Sequence, residues 1–408
     1  MLAELCPRIH ARFTSLRLLG SHVEEFVAWL QTQGYPPLPI RLRLRALPRL
    51  DARLRRLGVR RLEGISAAQL LELTPRDSQD DLYLSALVRS LVRYLDTRGV
   101  LAGLATTPSA QVIAAYRAYL ERVRGLAEST LTQHCGTAGD LLTFLEFDRA
   151  PAAGLRALGP RQIEAFLQAA GIRLCRASLQ HTVAHLRSFL RFLASRGEVG
   201  VGLDSSIDTP RLYRGELLPR ALAWETVQAF LAAIDRSTPK GRRDYAMFLL
   251  IATYGLRTSE VAALRLEDLE WRVSRIRVPR PKASAPLIIP LTEEVGAALV
   301  DYVRHARPEL SYRQVFLRVR APGGPLGPTA VTEAFQDRVR RGALPSRCQG
   351  PHCLRHSLAV HLLRQGASLK AIGDLLGHRS PESTCVYLRL HVADLRDAAL
   401  PLPHQERP

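Results

Sequence analysis

The sequence predicts a mainly α-helical chain with one small β-hairpin in its last third, which gives that part an α+β character. Three observations carry the expectation. Apolar residues recur at helical spacing through residues 109–197, and two short runs rich in β-branched and aliphatic residues, Val273 to Val278 and Ala285 to Ile289, lie close together further on. At 408 residues the chain is also longer than one ordinary core organises, so two or three domains are expected.

Taken in order, residues 1–108 read as an N-terminal helical domain that repeats a theme found downstream. Trp29-Leu30, Gly34-Tyr35, a helical stretch to Leu54 and Ile65 to Leu70 parallel Tyr119-Leu120, Gly125-Leu126, Leu145 and Ala157 to Ile163, with equal spacing from Tyr35 to Leu54 and from Leu126 to Leu145. A degenerate duplication is the reading this supports. Residues 109–203 form the second helical module. Ala127-Glu128-Ser129-Thr130 ahead of Leu131, and Gly159-Pro160 ahead of Ile163, Phe166 and Leu167, mark helix starts. In Ala177 to Arg196 the residues Leu179, Val183, Leu186, Leu190 and Leu193 fall on one face, and Gly197 offers a stop. Gly, Asp and Pro enter from residue 198, and residues 204–220, with Thr209-Pro210-Arg211, read as a basic linker. A last domain over 221–400 opens with three helices from Trp224, passes through the hairpin with Lys282 in its turn, and returns to helices. Residues 401–408 are a tail.

Composition narrows the partner. Hydrophobic residues make up 47% and the mean hydropathy is −0.04, as in soluble globular chains. The formal charge of +19 and pI of about 10.5 call for a polyanion, and double-stranded DNA is the expected one. The longest apolar run, Tyr245 to Tyr254, is far short of the roughly 20 residues that span a bilayer. Met1-Leu2-Ala3-Glu4 does not open a secretory signal, so a cytoplasmic location with no membrane partner is expected. Cysteines at 6, 135, 175, 348, 353 and 385 have no disulfide framework, and reduced thiols follow.

The chemistry lies in an ordered polar set: Arg257 and Glu260 in Gly255-Leu256-Arg257-Thr258-Ser259-Glu260, then Lys282, then His352-Cys353-Leu354-Arg355-His356, then Leu376-Gly377-His378, then Tyr387. Two arginines, a lysine, two histidines and a tyrosine are what metal-free breaking and rejoining of a phosphodiester needs. Guanidiniums and imidazoles hold the phosphate and neutralise its developing charge, an imidazole takes the tyrosine proton, and the phenolate attacks phosphorus. Lysine stands only at 240, 282 and 370 among the 57 Lys+Arg. A lysine ammonium desolvated among other cations gives up a proton where a guanidinium does not, so each of the three lysines is a rarer candidate acid than any arginine. Cys348 and Cys353 beside two histidines mimic a zinc cluster, but closed zinc sites pair their ligands in two separated groups, and no metal is expected. His181 and His185 match no constellation and read as surface or groove contacts.

This set resembles the catalytic domain of the tyrosine recombinases, the phage-integrase family, over roughly 220–398. A weaker resemblance, over about 110–203, is to the SAM-like core-binding domain that precedes it. The resemblance implies a C-shaped clamp around DNA and a covalent 3′-phosphotyrosine intermediate formed by Tyr387. It further implies Arg257 and Arg355 as phosphate clamps with His378, His352 as acid/base, Lys282 as the acid for the departing 5′ oxygen, and Glu260 as support. His356 is given a packing role. No cofactor is implied. Family assemblies hold four subunits on two DNA sites and exchange a C-terminal segment, which Leu388 to Pro403 would supply. Leu395 to Pro403 resembles the end of mobile-element integrases, a setting that brings other recombinases of the same element as partners. Two other readings of the same residues stay open: a type IB topoisomerase-like relaxing enzyme, and an inert recombinase-derived DNA-binding regulator. One departure stands out, since Ala283-Ser284-Ala285-Pro286 follows Lys282 where many members carry a second basic residue.

Overall fold

The computed structural model describes residues 2–5, 7, 10–74, 79–101, 107–151, 155–212, 220–280, 286–342, 344, 350–377 and 380–390. The chain divides into two compact units, one made of residues 1–8, 24–42 and 217–408, the other of 9–23 and 43–216.

The chain's first helices are α1 (Val23–Thr32), α2 (Pro37–Arg56), α3 (Ala67–Glu72) and α4 (Gln79–Thr97), after two short helical turns. Ser66 caps α3 through a capping box with Gln69, and buried Asp51 of α2 accepts from the backbone N–H groups of Leu18 and Leu19 at 2.9 and 3.1 Å. Four further helices build the core of the second unit: α5 (Pro108–Arg122), α6 (Glu128–Phe144), α7 (Pro160–Arg173) and α8 (Arg176–Ser195). Pro160 opens α7 at its first turn, and Gly197, at φ 71°, follows the end of α8. Val183, Leu186, Leu190 and Leu193 of α8 pack with Tyr116, Leu141 and Phe166. His185 does not behave as a surface residue. It is half-buried against α6, where its ring sits 4.3 Å from His134 and its Nδ1 lies 3.2 Å from the Thr137 hydroxyl, while His181 one turn earlier is exposed.

The other unit is organised by α10 (Pro239–Tyr254), the apolar run of the sequence, which is buried along almost its whole length. Around it stand α9 (Trp224–Ala232), α11 (Thr258–Ala263), α12 (Glu293–His305), α13 (Pro328–Arg340), α14 (His352–Arg364), α15 (Leu369–Leu376) and α16 (Glu382–Cys385). Asp244 of α10, fully buried, is balanced by Arg243 at 2.7 Å and Arg338 at 3.1 Å. The chain enters this unit with the Leu222 N–H on Ser357 Oγ at 2.7 Å and the Trp224 ring stacked on His361.

The hairpin strands belong to a three-stranded antiparallel sheet of order β1 (Leu269–Glu270), β2 (Arg275–Val278), β3 (Leu287–Pro290), with β2 in the centre. Ile276 pairs with Ile289 and Val278 with Leu287, and Ile276, Val278 and Ile289 are buried. The strand begins two residues later than the sequence predicts. Trp271–Val273 form a 3-10 turn and Ser274 takes a left-handed φ of 49°, which releases the chain into β2 only at Arg275.

Candidate active site

The local backbone of the site is set by two glycines. Gly255 ends α10 at φ 64°, and a Cβ there would stand 2.4 Å from Leu376 Cδ2; Gly377 ends α15 at φ 61°. The two helix ends therefore meet, and the arginines converge on them.

Arg257 is the N-cap of α11. Glu260 accepts from its backbone N–H and from its Nη1, both at 2.8 Å, while Arg257 Nη2 donates to Gly377 O at 3.2 Å. Arg355, on α14, is buried; its Nη1 donates to Gly255 O and its Nη2 to Leu376 O at 2.6 Å. Burial first, and then the charge of Arg257, pulls the Arg355 guanidinium down to about 10, so it is still a cation at neutral pH. Glu260 is itself buried. Among the described residues here it is the one carboxylate against Arg257, Arg280 and Arg355, and the surplus positive charge suits an anion.

Tyr387 follows α16 in a 3-10 turn, Val386–Leu390, with its ring buried. Its hydroxyl lies 2.9 Å from His356 Nδ1. Burial raises the phenol pKa, and the charges of Arg355 and Arg257 act in the opposite direction. His352 opens α14 one turn before His356, their ring centroids 6.2 Å apart. The residue as a whole is exposed, yet crowding by protein around the ring, followed by the charges of Arg355 and Arg257, lowers its imidazole pKa.

Residues 220–394 match the family model described as the phage integrase family, and residues 113–197 match the phage integrase N-terminal SAM-like domain. The chain is 33% identical over 392 residues to the y4rA protein of Sinorhizobium fredii, provisionally named an integrase/recombinase, with 94% of each covered. It is 30% identical over 285 residues to the tyrosine recombinase XerD of Lacticaseibacillus casei, covering 68% of this chain and 94% of that one. The chain belongs to the tyrosine recombinase, or phage integrase, family. Family members cleave and rejoin DNA. The same fold is shared at lower identity with two solved complexes. One is the XerH site-specific recombinase bound to palindromic difH substrate, with a TM-score of 0.54 at 15% identity over 81% of this chain and 92% of that one. The other is the Tn1549 transposon integrase with circular intermediate DNA, with a TM-score of 0.52 at 19% identity over 70% and 99%.

In this tyrosine recombinase, Arg257, Glu260, His352, Arg355 and Tyr387 come together across α11, α14 and the turn after α16. Lys282 and His378 lie outside the described residues. Two neighbours were given no chemical role by the sequence. His356, given a packing role, makes the imidazole contact to the tyrosine hydroxyl; its position four residues after His352, on the same helical face, was the available signal. Arg280, just beyond β2, forms an ion pair with Glu260 at 3.6 Å and donates to Leu375 O at 3.0 Å. Nothing in its sequence context distinguished it from the many other arginines.

Proposed function

We propose that the chain is a site-specific DNA recombinase, of the kind that moves a mobile element, acting through a covalent 3′-phosphotyrosine intermediate made by Tyr387. The observation that carries the reading is the Tyr387 hydroxyl 2.9 Å from an imidazole and within the field of two guanidiniums, the buried one of Arg355 and the partly exposed one of Arg257.

Duplex DNA binds with its scissile phosphate against Arg257, Arg355 and His378. The Tyr387 oxygen forms a bond to phosphorus as the phosphorus to 5′-oxygen bond breaks. The phenol proton passes to the His356 Nδ1 lone pair, and the Lys282 ammonium gives its proton to the departing 5′ oxygen. His352 acts as acid/base beside the phosphate. The two guanidiniums meet the extra negative charge of the pentacoordinate transition state, which is the work a metal ion does in other phosphoryl-transfer sites. A 5′ hydroxyl from another strand reverses the step, because the phosphotyrosine ester conserves the bond energy. Exchange between two sites calls for four subunits on two duplexes.

Nicked duplexes tiled across the DNA flanking the coding sequence, resolved by denaturing electrophoresis, test this. A protein–DNA adduct is expected with wild type and absent with Tyr387→Phe, whose DNA affinity stays within about threefold because the lost hydroxyl is not a phosphate anchor. An adduct that survives in Tyr387→Phe rules out the nucleophile. Strand exchange only with paired sites separates recombination from simple relaxation.

A further inference from the structure

Between Asp51 and Glu63 the chain holds arginines at 53, 55, 56, 60 and 61 and no carboxylate. Arg53 is partly buried, and its Nη1 donates to Leu73 O at 3.2 Å. Arg55, Arg56 and Arg60 are exposed, and together with exposed Arg17 they line a cleft of about 500 Å³. Among the described residues no carboxylate lines this cleft, and none of the four guanidiniums has a hydrogen-bond or ion-pair partner.

Three segments are brought together to make it. The buried Asp51 carboxylate accepts from the Leu18 and Leu19 N–H groups at 2.9 and 3.1 Å, which holds the segment carrying Arg17 against α2. After α2 ends at Arg56, Gly58 at φ 78° turns the chain so that the Val59 N–H returns to Leu54 O at 3.1 Å and Arg60 comes back to the cleft. The dipole of α2 favours cations in its last turn, which accounts for Arg55 and Arg56 but not for Arg17 or Arg60. Four like charges repel one another, and the acid nearest in sequence is committed to backbone donors. A bound anion relieves that repulsion.

The rest of the lining says which anion fits. It is buried Leu18 with Ala52, Gly58 and Val59, which gives no aromatic ring to stack on an unpaired base, no amide to read a base edge and no exposed large apolar anchor for a peptide. We propose that this cleft binds the phosphate backbone of duplex DNA, independently of sequence, in the unit that does not hold Tyr387. The contact is additional to the scissile-phosphate site and uses neither Arg257 nor Arg355.

The test uses full-length protein and a duplex unrelated to the cut site, so that binding is read without cleavage. Phenylglyoxal modification of arginines, mapped by peptide mass spectrometry, is expected to slow several-fold at Arg17, Arg55, Arg56 and Arg60 when the duplex is bound, and to change little with inorganic phosphate or polyglutamate. A variant combining Arg17→Ala, Arg55→Ala and Arg60→Ala should lose about 2–3 from the slope of log K against log salt, at about 0.9 for each phosphate contact removed. Lysine at the same three positions keeps most of the slope, because a point cation still neutralises a phosphate. On a saturating duplex that carries the cut site, the alanine variant should form the adduct within about threefold of the wild-type rate, which separates this site from the chemistry at Tyr387. Unchanged modification on the bound duplex, an unchanged slope in the alanine variant, or equal protection by polyglutamate overturns the proposal. So does a slope lost equally in the alanine and lysine variants, which marks a damaged fold, or an adduct lost at saturation, which moves these arginines into catalysis.

Discussion

Glu260 holds more of the site together than a supporting role conveys. Its buried carboxylate caps the α11 backbone at Arg257, pairs with the Arg257 guanidinium and faces Arg280. Glu260→Gln retains an acceptor for the cap but leaves the guanidiniums without their counter-charge. The expected cost is about 1–3 kcal/mol, typical of a lost hydrogen bond to a charged group. Thermal unfolding reads this as a Tm lowered by several degrees, together with slower adduct formation; an unchanged Tm and rate would show the carboxylate to be dispensable. The residues legible in the sequence were those whose type and order carry chemistry: Arg257, His352, Arg355 and Tyr387. Arg280 was hidden because its partner Leu375 is 95 positions away and its role comes from burial, which no local pattern announces. His356 was half legible, since the helical period put it beside His352 but gave no sign that Tyr387 would reach back to it.

At the scale of elements, periodicity read a helix well where it buries one stripe: the face of α8 from Val183 to Leu193 is in the core, and Gly197 closes it. The hairpin was less legible. The start of β2 depends on a left-handed Ser274, and β1 is two residues long, too short for any alternation to show. The inward turn of His185 also escaped, because it depends on the α6 partner. That pair gives a pH dependence. Burial, then the neighbouring His134 and His181, pulls the His185 pKa down to about 4, and burial lowers His134 as well. Both are therefore held neutral in the folded unit. As pH falls below about 6.5 the unfolded chain takes up protons that the folded one refuses, so stability present above that pH is lost progressively toward pH 4. Unfolding followed at about pH 7 and about pH 5 should show a smaller loss for His185→Gln than for wild type. Equal losses in the two proteins would mean that this imidazole stays hydrated in the folded chain.

For the molecule as a whole, the charge of +19 is the property most directly tied to its substrate, and it was readable from composition alone. A surplus of that size on a folded chain repels itself, and binding a polyanion relieves the repulsion. If the partner is duplex DNA, each phosphate neutralised releases condensed counterions, and log K against log salt falls with a slope of about −0.9 per phosphate. A recombinase contacting six to ten phosphates should then lose about 10³–10⁵ in affinity between roughly 50 and 200 mM salt. Fluorescence anisotropy with a labelled duplex measures the slope directly. The duplex carrying the cut site and an unrelated one should share most of that slope while differing in intercept, because the salt-dependent part comes from the backbone and the sequence preference comes from the bases. A flat response on both would mean that the basic surface serves solubility or another partner, and would remove the electrostatic support for strand cleavage at Tyr387.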